Sequence, residues 1–133
     1  MNGSRNSRER GAVAVEFALV APLFLAILLA IIEFSNFFRV QISVSQAARE
    51  AARAMAISNS QTTAEAAAAA ASPAIDPSGF SYAFSPASCG ANQTVTVTIT
   101  YSLKTVSGGA LQSLTGAIMP STVKGVSAMR CGG

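Results

Sequence analysis

Few side chains in this sequence could do chemistry, and their kinds narrow the choice. Among 133 residues there is no His, Asp76 is the single Asp, and Cys89 and Cys131 are the two cysteines. A His-based general base or a His/Cys metal site therefore cannot be assembled. The plentiful Ser and Thr fall into no motif with a nucleophile, a base and an orienting group. No catalytic residue, metal, cofactor or small-molecule substrate is expected, and an enzyme is the least supported reading. The residue that stands out is Glu16, a carboxylate just inside an apolar stretch. It lies four positions, about 6 Å of helical rise, past Ala12, where a buried charge costs a few kcal/mol unless paired or protonated. It is either an interfacial acid that reaches water or takes up a proton, or a functional one.

The element that positions Glu16 is a run of 21 residues from Ala12 to Ile32. As a helix it spans about 31 Å, close to the thickness of a bilayer hydrocarbon core. Half the chain is apolar and 11% is charged, with no charge from Phe17 to Ile32, a distribution that points to a membrane protein. A cleaved secretory signal is the rival reading, but its apolar region is about 7 to 15 residues long and ends at a small-x-small site; here the run goes on through Glu33, Phe34, Phe37 and Phe38. Arg5, Arg8 and Arg10 precede the run against one acid, Glu9, and the next basic residues are Arg39, Arg49 and Arg53. The N-terminus is therefore expected on the cytoplasmic side. Phe34, Phe37 and Phe38 should meet the outer interface beside Glu33, whose carboxylate would reach water in a mostly structural role. The net charge of +3 forms no Lys/Arg stripe, so nucleic acid is not an expected partner.

Past the span, Val40, Val44, Ala47, Ala48, Ala51 and Met55 recur at helical spacing, whereas Gln41, Ser45, Arg49 and Arg53 fall largely elsewhere. This periodicity carries the helix to about Ile57. Its alanines allow close backbone approach, to this chain's own sheet or to neighbouring helices. After the break at Ser58, Asn59 and Ser60, the stretch Thr62-Thr63-Ala64-Glu65 reads as a capping box before an Ala run that Pro73 ends, giving a short second helix or else a low-complexity linker. Three runs then read as strands: Phe80, Tyr82 and Phe84 alternating with small residues; Val95, Val97, Ile99 and Tyr101 alternating mostly with threonines; and a weaker run from Thr122 to Arg130. Gly125 breaks the alternation of the last run, which predicts a bulge.

If the last two strands pair around a loop at Gly108 to Thr115, residues whose numbers sum to about 220 face each other, as those of Cys89 and Cys131 do. In an oxidising periplasm the two would form a disulfide; the other reading is two free thiols in a frayed tail.

The stretch Arg8-Glu9-Arg10-Gly11-Ala12-Val13-Ala14-Val15-Glu16-Phe17 resembles a type IV prepilin processing signal: a basic leader, a Gly, four apolar residues, then Glu and an aromatic. With Val15-Glu16-Phe17-Ala18-Leu19-Val20-Ala21-Pro22, then Glu33-Phe34, and Gln46-Ala47-Ala48-Arg49-Glu50-Ala51-Ala52-Arg53, the chain resembles TadE-like pseudopilins of the Tad (tight adherence) pilus system. The resemblance is close over roughly the first 57 residues and covers the rest only in general plan. It implies that a prepilin peptidase cuts between Gly11 and Ala12, that Glu16 pairs with the new Ala12 amine of an adjoining subunit, and that Phe17 and Pro22 belong to the assembly segment. Pro22 removes a backbone hydrogen bond near Ala18, which either softens the helix or is a tolerated membrane proline. Implied partners are the inner membrane, the prepilin peptidase, other pilins or pseudopilins, and Tad assembly-platform proteins.

The expected fold is α+β: a long N-terminal transmembrane helix continuing into the periplasm, a short second helix, and an antiparallel sheet of about three strands packed on the long helix. Residues 1–11 would be a cytoplasmic basic leader, 12–38 the transmembrane helix, 39–57 its periplasmic extension, 58–78 the short helix and linker, and 79–133 the sheet region. The leading expectation for function is a minor pseudopilin of an adhesion, biofilm or secretion filament. The alternative is a permanently anchored periplasmic adhesion or interaction domain.

Overall fold

The computed structural model describes residues 3–106 and 120–132, with side chains from Arg10 onward. The loop expected at Gly108 to Thr115, and the side chains of Arg5, Arg8 and Glu9, lie outside the described residues. The elements follow the order α1 (Gly3–Ser58), α2 (Gln61–Ala70), a 3-10 turn (Pro77–Gly79), β1 (Phe80–Ser85), β2 (Thr94–Ser102) and β3 (Thr122–Arg130). This is the expected α+β plan. By internal contacts the chain divides into one unit ending at Ser35 and a second beginning at Asn36.

The first unit is the N-terminal part of α1. Its large apolar side chains stand exposed all around, from Val13 and Phe17 through Leu19, Leu23 and Phe24 to Ile32. The helix is long and apolar enough to cross a membrane once, and Pro22 lies inside it without ending it. Glu33 departs from expectation: it is 6% exposed, so its carboxylate is buried and does not reach water.

The second unit holds a compact core. Val40, Val44, Ala47, Ala48, Ala51 and Met55 of α1 are buried, while Arg49 and Arg53 are exposed. Their partners are Val95, Val97 and Ile99 of β2 and Val123 of β3, so the helix packs on the chain's own sheet. Alanine suits this face because a side chain without rotamers lets strand and helix backbones approach at no entropic cost. Phe37, one of the aromatics expected near the outer interface, is half-buried against this core with its ring edge-on to Phe38 at 5.6 Å, and Phe38 is exposed.

Asn59 ends α1. Its φ of 50° is left-handed, a conformation Asn tolerates better than most residues, and its N–H still donates to the Met55 carbonyl at 2.9 Å. The cap of α2 is Ser60 rather than the expected Thr62: Ser60 Oγ accepts the Thr63 N–H at 3.4 Å. Because Asn59 turns the chain so abruptly, helical geometry resumes at Gln61, and Thr62 already lies inside the helix. Ala64 and Ala68, one turn apart, bury one face of α2 in the core.

The sheet is antiparallel in the order β1-β2-β3. Phe80, Tyr82 and Phe84 turn to the half-buried face of β1, where the Phe80 ring meets Tyr82 and Tyr101 edge-on. The register of the last pair differs from expectation: Thr94 faces Arg130 and Ser102 faces Thr122, residues whose numbers sum to 224. The bulge expected at Gly125 is absent, since Gly125 faces Ile99 within an unbroken register. Gly125 takes an inward position between Lys124 and Val126, both exposed. The sequence alternates once a residue without a side chain is counted as inward.

Candidate functional site

The residues expected to serve assembly lie at the start of α1. A Cβ added at Gly11 would meet nothing within 4 Å, so no packing requires Gly there. Ala12, Glu16, Phe17 and Pro22 are exposed, Phe17 at 72%. Glu16, Phe17, Val13 and Val20 line one shallow surface, as positions i, i+3, i+4 and i+7 of a helix must. The structure thus brings Glu16 and Phe17 together on an otherwise apolar face. Pro22, six positions beyond Glu16, lies on another side of the helix.

The Gln46 to Arg53 segment separates into two roles. Ala47, Ala48, Ala51 and Ala52 are fully buried, whereas Arg49, Glu50 and Arg53 face outward. Arg53 and Glu50 approach to 3.9 Å with both side chains well exposed, a pair that adds little stability. Within this chain the alanines serve packing, and the charged residues are left on the outer face.

Cys89 and Cys131 meet as a disulfide pair with Cα atoms 5.5 Å apart. They are not cross-strand neighbours as the expected register would make them. Both lie beyond strand ends, where the Cys131 N–H donates to the Gln93 carbonyl at 2.9 Å and the Cys89 N–H donates to Asn59 Oδ1. Nearby, Gln61 Nε2 donates to the Ala87 carbonyl at 2.8 Å. One end of the sheet is thereby tied to the junction of α1 and α2.

Two groups titrate away from their ordinary ranges. Asp76 caps the 3-10 turn, accepting the Ser78 N–H at 3.0 Å. Hydrogen bonds from the backbone and side chain of Ser78 hold its carboxyl below the usual range, with a smaller pull from Lys104. Partial burial pushes the Tyr82 phenol up, and the charge of Glu65 adds to the shift. Asp76 also lines an open cleft of about 390 Å³ with Asn36, Arg39, Tyr101, Lys104 and Val106. Sequence reasoning missed this cleft; its residues come from three separate stretches, and no local motif marks them. No group of three or more potential metal-ligating side chains occurs among the described residues.

Residues 11–53 match the family of TadE-like proteins. The matched segment lies within α1 and contains Glu16, Pro22 and the alanine-rich packing face. No curated protein and no solved structure matches the chain. The matched part of α1 is therefore similar to TadE-like proteins.

Proposed function

We propose that this protein is a minor pseudopilin acting in assembly of a Tad or type IV-like pilus. It inserts in the bacterial inner membrane with its N-terminus in the cytoplasm and its sheet region in the periplasm. A prepilin peptidase removes the leader after Gly11, and the mature chain joins neighbouring pilins or pseudopilins through its N-terminal helix, guided by assembly-platform proteins. Its role is structural and not enzymatic.

The observation that carries this reading is the TadE-like helix with apolar side chains exposed on every side. Such a surface requires lipid or other helices around it. Glu16 interrupts that surface once, among Val13, Phe17 and Val20. Pairing with the Ala12 amine of an adjoining subunit would offset the desolvation of both charges and set axial register.

The test is the intact mass of the protein from its host's membranes, beside a Gly11→Leu variant. Open space around Gly11 means that the added side chain disturbs recognition and not the fold. A mature N-terminus at Ala12 that is lost in the variant is the expected result. An uncut chain in both refutes processing and favours a permanent anchor.

A further inference from the structure

The cleft at Asn36, Arg39, Asp76, Tyr101, Lys104 and Val106 has a composition that the assembly reading leaves unused. Two cations and one anion share its walls, with an aromatic ring and a Val. Arg39 is placed by a hydrogen bond from its Nη2 to Asn36 Oδ1 at 3.3 Å, and Asn36 Nδ2 donates to the Lys104 carbonyl at 3.5 Å. Arg39, Asp76 and Lys104 are all exposed and Tyr101 is half-buried, so the charged ends are open to a ligand.

From the cleft's paired charges we infer that it receives the headgroup of an aminophospholipid, with the phosphate beside Arg39 and Lys104, the primary ammonium beside Asp76, and the short carbon link against Tyr101 and Val106. This rests on the membrane reading above. Arg39 lies seven positions beyond Ile32, the end of the uncharged run, so a bilayer that takes up the run brings its headgroup layer to this stretch of α1. Phe38, beside Arg39, is 57% exposed, as an aromatic at that depth is in membrane proteins.

The charge pattern selects among lipids. A guanidinium and an ammonium suit a phosphate diester, the first as a planar fork and the second as a point charge. A purely anionic lipid would leave Asp76 facing negative charge. Asp76 is exposed and accepts the Ser78 N–H, so it offers a carboxylate at neutral pH. A primary ammonium can donate hydrogen bonds to that carboxylate, whereas a trimethylated choline nitrogen has no N–H to give.

The experiment is native mass spectrometry of the full chain in detergent with equal amounts of phosphatidylethanolamine, phosphatidylcholine and phosphatidylglycerol. Ethanolamine lipid should be retained over choline lipid by about two- to fivefold, the scale of one exposed ion pair. Asp76→Asn, which keeps an acceptor for the Ser78 N–H, should abolish that preference without reducing phosphatidylglycerol adducts. Arg39→Gln combined with Lys104→Gln should lower retention of all three lipids. Equal retention of ethanolamine and choline lipids by the wild type, a preference for phosphatidylglycerol, or a preference surviving in Asp76→Asn would overturn the proposal. Vesicle flotation of the same protein separates the two levels: a chain that floats without headgroup preference refutes the cleft alone, and one that does not float refutes the membrane reading.

Discussion

Gly125 of β3 lies against the backbone of Val44 in α1 so closely that a Cβ built on it would stand 2.5 Å from the Val44 carbonyl oxygen. Backbone atoms of a packed helix have nowhere to go. One residue before Gly125, the Lys124 carbonyl accepts from Gln41 Nε2 at 3.1 Å, which fixes the strand against the helix within one turn of Val44.

Gly125→Ala is therefore expected to destabilise the sheet unit by about 1–3 kcal/mol, the range for overpacking a filled core. In a strand without this contact, Ala would be the better residue than Gly. Thermal melting of the detergent-solubilised full chain followed by circular dichroism checks the sign: a higher melting temperature in Gly125→Ala contradicts the close approach.

Replacing Cys89 or Cys131 by Ser should cost about 4 kcal/mol by the chain-entropy estimate for a loop of this length, since the two cysteines are 42 residues apart. Reductant should lower the melting temperature of the wild type and leave that of either variant unchanged. Full thiol labelling of the unreduced protein would count against the bond.

Glu16→Ala should leave the protein inserted and its sheet folded, because Glu16 is exposed and makes no contact on which the core depends. Under the filament reading, incorporation into pili falls sharply while carbonate-resistant membrane association is unchanged. Wild-type levels of incorporation would remove Glu16 from the assembly mechanism.

The Asp76 carboxyl should titrate below an ordinary aspartate, and NMR of its side-chain carbonyl reads this directly. With the folded value depressed by the Ser78 hydrogen bonds, its contribution to stability is present above the unfolded value of about 3.9 and is lost as pH falls through the folded one. Asp76→Asn should remove that acid-side component.

The half-buried Tyr82 phenol should ionise above the usual tyrosine range, visible as a late component in an ultraviolet titration. Its folded value is raised, so its contribution is intact below about 10 and is lost as pH rises from there through the folded value. Glu65→Gln should bring part of the ionisation to lower pH, and Tyr82→Phe should abolish the component.

The helices and strands were legible because burial imposes its own periods. The 3.6-residue repeat of Val40, Val44, Ala47, Ala51 and Met55 and the two-residue repeat of Val95, Val97 and Ile99 are the marks of one buried face each. The register of β2 on β3 was not legible, for a physical reason. The expected and observed pairings differ by four in the sum of residue numbers, and an even shift leaves every side chain on the same face of the sheet. Hydrophobic pattern therefore cannot choose between them. Gly125 misled for a related reason, since an inward position filled by a helix backbone looks in sequence like a gap. The gathering of Arg39, Asp76 and Lys104 depends on chain segments far apart in sequence, and no local spacing signals it. At the start of α1 the motif from Gly11 to Phe17 was legible as a pattern of residue types along one helix.

The ties at the α1 end have a mechanical consequence. Gly132 donates its N–H to the Ala56 carbonyl at 3.4 Å, Cys131 is bonded to Cys89, and the Cys89 N–H is held by Asn59. A pulling force applied near residue 131 is therefore not borne by the β2–β3 ladder, which would otherwise unzip one rung at a time from Arg130. The load passes through the sulfur bridge into the β1–β2 connection and through Asn59 into the end of α1, so tension reaches the long helix while the sheet stays closed.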